Sequence, residues 1–181
     1  MEIECKFNLS SVSFILQPEF KKNIATIKKT IQGYVYSDQC ITRYQVNTYP
    51  NDDMQGFIII KSAKEEFERD EYVLSINFKD AKKLIDKYCG DFVIHKYRVV
   101  TKDHWEIDIF DGRPLGLFIA EKELDLIDEE INIPEPLSFF VNREVTAIPY
   151  FYNQNIAKRR SFCFADKRKE LARKIIKEIW P

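Results

Sequence analysis

The segment Glu2-Ile3-Glu4-Cys5-Lys6-Phe7 alternates charged and apolar residues without a break. A period of two marks a strand, because successive side chains leave a pleated backbone on opposite faces. Glu2, Glu4 and Lys6 therefore share one face, and Ile3, Cys5 and Phe7 the other. Taken alone, this is a solvated edge strand whose charges discourage edge-to-edge pairing. The pattern constrains more because it recurs. Residues 41–46 point Arg43 and Gln45 the same way, and Lys61 interrupts the apolar run in 57–62. In 69–76, Arg69, Glu71, Val73 and Ser75 alternate with Asp70, Tyr72, Leu74 and Ile76. Residues 92–100 put Lys96 and Arg98 on one side, 105–110 do so with Glu106 and Asp108, and 117–124 with Glu121 and Glu123.

Between these lie fewer helical patterns. Pro18 followed by Ile24 and Ile27 predicts a helix over 18–29, with proline in its first turn. The stretch Thr30-Ile31-Gln32-Gly33-Tyr34-Val35-Tyr36 is β-branched and aromatic and reads as a strand. Ala81, Leu84, Ile85 and Tyr88 set a helix over 78–88 that Gly90 stops. Leu171, Ala172, Ile175, Ile176 and Ile179 form one stripe of an amphipathic helix over about 166–180. The fold class is therefore α+β, with helices covering the apolar side of a sheet and the charged side left over. About eight strands suffice to close a barrel with room for a small ligand. Mixed charges lining it would suit a polyanion with a divalent metal, cations on phosphate oxygens and carboxylates on the metal. An open sheet with its charged face in water has the same period.

Composition narrows the partners. With 181 residues, a single domain spanning 1–181 is expected. Lys+Arg number 28 and Asp+Glu 29, so no global field draws nucleic acid or an anionic membrane, and neither is an expected partner. Acidic residues at positions 2 and 4 exclude the basic start of a signal peptide, and apolar runs such as 57–60 are far too short to span a bilayer. Cys5, Cys40, Cys89 and Cys163 are widely spaced and read as reduced thiols of a cytoplasmic protein. His95 and His104 are too few to favour zinc, and no P-loop glycine pattern is present. Nothing in the pattern indicates an oligomeric state.

Seven short motifs follow in order: Glu2-Ile3-Glu4-Cys5-Lys6-Phe7; Gln32-Gly33-Tyr34; Lys61-Ser62; His95-Lys96-Tyr97-Arg98; Trp105-Glu106-Ile107-Asp108; Ala120-Glu121-Lys122-Glu123; and Arg143-Glu144-Val145-Thr146 with Tyr150 to Ala157. This succession resembles the CYTH superfamily, the triphosphate tunnel metalloenzymes. The resemblance implies a closed tunnel of eight antiparallel strands holding a small-molecule triphosphate and Mg²⁺ or Mn²⁺, with helices outside. It implies metal ligation by Glu2, Glu4, Asp108, Glu121 and Glu123. Lys6, Arg43, Lys61 and Arg98 would hold phosphate, together with Gln45 and Arg69; Glu71 and Glu106 are additional candidates. Lys96 and Tyr34 fall where some hydrolytic members act on the leaving group or the attacking water. The leading implied reaction is hydrolysis of inorganic tripolyphosphate to diphosphate and phosphate. Hydrolysis of thiamine triphosphate, cyclisation of ATP and non-catalytic polyphosphate binding are the alternatives. The chain departs from the family where an R-x-R pair is usual and Arg43-Tyr44-Gln45 stands, and where R-x-E-x-E is usual and Arg69-Asp70-Glu71-Tyr72-Val73 stands.

Overall fold

The computed structural model describes residues 3–62, 71–124, 126 and 129–180; Glu2 and Arg69 lie outside the described residues. Among the described residues nine strands form: β1 (Ile3–Leu9), β2 (Ile24–Tyr36), β3 (Cys40–Thr48), β4 (Met54–Ser62), β5 (Glu71–Ile76), β6 (Val93–Thr101), β7 (Trp105–Asp111), β8 (Phe118–Leu124) and β9 (Val141–Glu144). Four α-helices accompany them: α1 (Pro18–Asn23), α2 (Phe78–Tyr88), α3 (Asn153–Lys158) and α4 (Asp166–Ile179). The strands pair antiparallel in one sheet of order β5-β4-β3-β2-β6-β7-β8-β1-β9. The α+β class is as expected, whereas the closed eight-stranded barrel is not what the hydrogen bonds draw. The sheet has nine strands, and its edges β5 and β9 do not pair with each other among the described residues. The extra strand is only four residues long, too short for alternation to mark it.

A second departure sits at the start of β2. The helix expected over 18–29 ends at Asn23, and a strand of 13 residues begins at Ile24. Ile24 and Ile27 do lie three apart. Yet Ile24, Thr26, Ile27, Thr30 and Ile31 are β-branched, stiff at χ1 and better packed on a pleat than on a helix. Pairing with β6, which sets Lys28 opposite Arg98 and Thr30 opposite Lys96, decides the matter. The register shifts between Ile24 and Thr26, a bulge that ends the regular alternation there.

The apolar faces go where the periods direct them, with one exception. Helix α4 lays Ala172 and Ile175 on a core that includes Phe7, Leu9, Val99, Trp105, Ile107 and Phe118. Helix α2 lays Ala81 and Ile85 against Val46, with Ile31 and Tyr44 alongside. The exception is α3, which was expected nowhere. Its Ile156 and Ala157 pack with Tyr34, Ile94, Phe110 and Ile119, which stand on the charged side of the sheet. That side is thus floored at one end by an apolar cluster. No helix of the described residues is long and apolar enough to cross a membrane, and Cys5, Cys40, Cys89 and Cys163 are free thiols.

Helix α2 approaches the sheet so closely that two strand positions must lack a side chain. A Cβ on Gly33 would stand 2.6 Å from Cys89 Sγ, and one on Gly56 2.9 Å from the Ala81 Cβ. Gly33→Ala should therefore destabilise the fold by about 1–3 kcal/mol through overpacking. The expected result is a lower urea midpoint with an unchanged m-value. Cys89→Ala should then cost less in the Gly33→Ala background than in the wild type, because it removes the clashing sulfur. An unmoved midpoint for Gly33→Ala would refute the close approach.

Candidate active site

Strand register assembles the charged residues. Directly opposed residues on antiparallel strands put their side chains on the same face. Lys61 faces Glu71, Arg43 faces Tyr34, Lys96 faces Thr30, Arg98 faces both Lys28 and Asp108, Glu121 faces both Glu106 and Lys6, and Glu4 faces Glu123. That face is concave. Arg98 on β6 donates to Glu121 on β8, across β7, at 2.5 Å. The phenol of Tyr34 on β2 feels Lys6 on β1, four strands along, although a flat sheet would separate those strands by about 19 Å.

The main cluster is a chain of shared carboxylates. Lys6 Nζ donates to Glu121 Oε1 at 2.7 Å and pairs with Glu4 Oε1 at 2.8 Å. Arg98 grips Asp108 with two parallel bonds, Nε to Oδ1 at 2.6 Å and Nη2 to Oδ2 at 2.7 Å, and also pairs with Glu106. Such fork geometry is the strongest arrangement of a guanidinium with a carboxylate. Lys96 Nζ donates to Asp108 Oδ2 at 2.5 Å and lies 5.7 Å from the centre of the Phe110 ring. Lys96 and Asp108 are fully buried, and Lys6 and Glu121 are 4% exposed. Burial raises the Glu121 pKa, but Lys6, Arg98 and Lys96 override it and hold the carboxyl well below the usual range. Burial and then Arg98 push Lys96 below an ordinary lysine, with Asp108 opposing them. Lys6 goes the other way, its burial outweighed by Glu121 and Glu4.

A second cluster stands farther along the same face. Glu71 pairs with Lys61 at 2.5 Å and with Arg43 at 3.5 Å. Arg43 Nε is buried with no hydrogen-bond partner among the described residues. Tyr34 is buried beside it, and its phenol is pushed up to about 12 by that burial, which Arg43 only partly offsets. Thr146 Oγ1 accepts from the Lys6 backbone N–H at 3.0 Å and donates to Glu144 at 2.7 Å, tying the end of β9 to the first strand.

The structure thus gathers Lys6, Arg98, Lys96, Glu4, Asp108, Glu106 and Glu121 into one network and Arg43, Lys61 and Glu71 into another. Gln45 lies on the same face with its amide engaged at both ends, by Gln32 and by Asn47. Glu123 stands opposite Glu4. Lys28, Thr30, Gln32 and Asn47 also line this face and were not foreseen as site residues. Lys28 is the consequential omission. It is a half-buried ammonium whose pKa is lowered by burial and by Arg98, and Glu106, Asp108 and Glu123 oppose that shift. The alternation Thr26, Lys28, Thr30, Gln32, Tyr34 was available as a signal, but the helical spacing of Ile24 and Ile27 masked it.

The carboxylates present fit a hard divalent cation. Glu4 opposes Glu123 and Glu106 opposes Glu121 across strands, and like charges so placed repel unless a cation lies among them. Oxygen-only donors of this kind are what Mg²⁺ and similar ions take. Among the described residues, no three acidic, histidine or cysteine side chains converge at ligating distance; Lys6 and Arg98 now hold several of the carboxylate oxygens.

No protein-family model matches the chain. It is 31% identical over 160 residues to the inorganic triphosphatase of Acetivibrio thermocellus, an alignment covering 87% of this chain and 93% of that one. In fold it is similar to the crystal structure of the inorganic triphosphatase NE1496, with a TM-score of 0.59, 21% identity, and 90% and 97% of the two chains covered. A more distant likeness, with a TM-score of 0.50, 13% identity, and 70% and 80% of the two chains covered, is to an adenylyl cyclase-like protein from Hippeastrum described as having a dominant triphosphatase activity. With a relative matched over nearly the full length of both chains, the chain belongs to the CYTH superfamily, the triphosphate tunnel metalloenzymes.

Proposed function

We propose that this protein hydrolyses inorganic tripolyphosphate to diphosphate and phosphate with the help of Mg²⁺ or Mn²⁺. The observation that carries the reading is the network Glu4–Lys6–Glu121–Arg98–Asp108–Lys96, in which both charges are concentrated on one concave, largely buried face. A face built only for solubility would be solvated. This one holds its ions away from water, which several kilocalories per mole of desolvation per ion oppose. The family relationship to an inorganic triphosphatase supports the same substrate. The curled sheet then forms the wall of a tunnel, with β5 and β9 at its margins. The free thiols fit a cytoplasmic setting.

In this reading Arg43, Lys61, Lys6 and Arg98 bind phosphate oxygens, the arginines in two-point fashion and the lysines as point charges. Lys28 extends that cationic lining beside Arg98. Glu4, Glu121 and Glu123 would hold the divalent cation, with Glu106 adjacent. When bound, such a cation would supply neutralisation of phosphate charge and a more acidic water. The water oxygen bonds the terminal phosphorus as the phosphoanhydride bond breaks; the leaving diphosphate takes that bond's electron pair, and the proton the water loses passes to the phosphate products or to solvent. Catalysis here is positioning and charge stabilisation rather than covalent chemistry. Lys96 sits on the apolar floor with a lowered pKa, which suits it to hold or pass a proton at Nζ near the reacting phosphate.

Every cation named above except Lys28 is paired with a carboxylate among the described residues. Substrate and metal must therefore strip the same ion pairs, and each lowers the cost for the other. Calorimetric titration should show tripolyphosphate binding about 10- to 100-fold tighter with saturating Mg²⁺ or Mn²⁺ than after chelation, within the usual range of coupling between two sites. Phosphate release from tripolyphosphate should stop on chelation; full turnover without metal would defeat the assignment. Lys96→Ala should lower kcat by about 10²-fold or more while moving KM much less. A change in KM alone would make Lys96 a ground-state clamp.

A further inference from the structure

The charged face has a closed end and an open end. On β6 its inward positions run Ile94, Lys96, Arg98. Ile94 and Phe110 belong to the apolar cluster that α3 covers with Ile156 and Ala157, so the face is floored immediately beyond Lys96. In the other direction Arg98 stands opposite Lys28, and Thr26 is the next inward position on β2. There Thr26, Tyr49, Asp53 and Gln55 help to line a cavity of about 580 Å³ that opens to solvent. Two residues along a strand span about 7 Å, so Lys28 and Arg98 lie one such step from Lys96 towards the open end.

Lys28 also differs from the other cations of the face. Lys6, Arg43, Lys61, Lys96 and Arg98 each pair with a carboxylate, and Lys28 pairs with none among the described residues. Glu106, Asp108 and Glu123 attract it, yet Arg98 holds Glu106, and Arg98 and Lys96 share Asp108. It stands directly opposite Arg98, and like charges so placed repel unless an anion lies between them. A half-buried ammonium without an ion pair, facing a second cation, is an anion site.

Resting on the triphosphate reading above, we propose that Lys28 holds the leaving diphosphate: with Arg98 it receives the two phosphates that depart towards the open end, while the terminal phosphate reacts beside Lys96. The floor bars passage beyond Lys96, so a linear triphosphate brings its leading phosphate to rest there and trails the other two past Arg98 and Lys28. As the water oxygen bonds the terminal phosphorus, the bridging P–O bond breaks and its electron pair stays on the diphosphate oxygen. The proton the water loses passes to the phosphate products or to solvent. Negative charge therefore grows on the side of Lys28, which keeps its own proton throughout. An ammonium at that place stabilises the developing charge more than the ground state. It also retains the product, so Lys28 sets how strongly diphosphate inhibits the reaction.

Calorimetric Kd values for diphosphate at saturating Mg²⁺, together with single-turnover release of phosphate from tripolyphosphate, test this in the wild type, Lys28→Met, Lys28→Arg and Lys96→Ala. Lys28→Met should weaken diphosphate about tenfold, the size of one hydrogen bond to a charged group, and slow the single turnover by a similar factor. Lys28→Arg keeps the charge and should stay within about threefold of the wild type in both. Lys96→Ala should slow the single turnover and leave diphosphate affinity within about twofold, since it serves the reacting phosphate. Lys28→Gln carries the same comparison if Lys28→Met fails to fold. Unchanged diphosphate affinity without the ammonium, an unchanged single turnover, a loss in Lys28→Arg as large as in Lys28→Met, or an equal loss of diphosphate affinity in Lys96→Ala overturns the proposal. Failure of the wild type to release phosphate from tripolyphosphate would instead defeat the functional reading, and diphosphate binding is measured separately from it.

Discussion

The guanidinium of Arg98 holds the concave face together. It bonds Asp108 twice, reaches Glu121 and also pairs with Glu106, so one side chain on β6 links carboxylates from β7 and β8. Through Glu121 the connection continues to Lys6 on β1. Without that cation, three carboxylates would crowd into a space little exposed to water and repel one another. With it, the Arg98 charge is held more firmly than in water, and Glu121 stays ionised despite its burial. Buried ion pairs are rarely a net source of stability, since desolvation offsets most of the attraction. Their use here is organisational. The strands must curl until the pairs meet, and the curl makes the site.

The apolar floor sharpens this electrostatics. Phe110 and Ile119 stand on the same face as the ions, and α3 with Phe151 covers them. Tyr36 Oη donates to the Gln154 carbonyl of α3 at 2.6 Å, fixing the cover to β2. Charges next to such a surface interact far more strongly than in water. Lys96 shows the competition plainly, its ammonium penalised by burial and by Arg98 while Asp108 stabilises it.

The tripeptide Gln32-Gly33-Tyr34 serves both sides of the sheet at once. Because neighbours on a strand alternate, Gln32 and Tyr34 point into the site while Gly33 faces α2 and yields the space that Cys89 and Ile85 occupy. One short motif thus sets the distance of a helix on the outside and the direction of a hydroxyl on the inside.

Alternation alone was enough to place Lys6, Arg43, Lys61, Lys96, Arg98, Glu106, Asp108, Glu121 and Glu123 on one face, because a period of two leaves a side chain no other choice. The helices over 78–88 and 166–180 were equally legible, since their stripes run for several turns. Where two periods competed over a few residues, local reading failed. Ile24 and Ile27 fitted a helix, and only the ladder with β6 made them a strand and brought Lys28 to Arg98. Nothing local could reveal β9, whose four residues become a strand only by lying beside β1. Nor could period say whether the charged face would be flat in water or curled around its ions. That depends on ion pairs such as Lys6 with Glu121, which are 115 residues apart in the chain. The sequence determined which residues share a face; long-range pairing decided which of them touch.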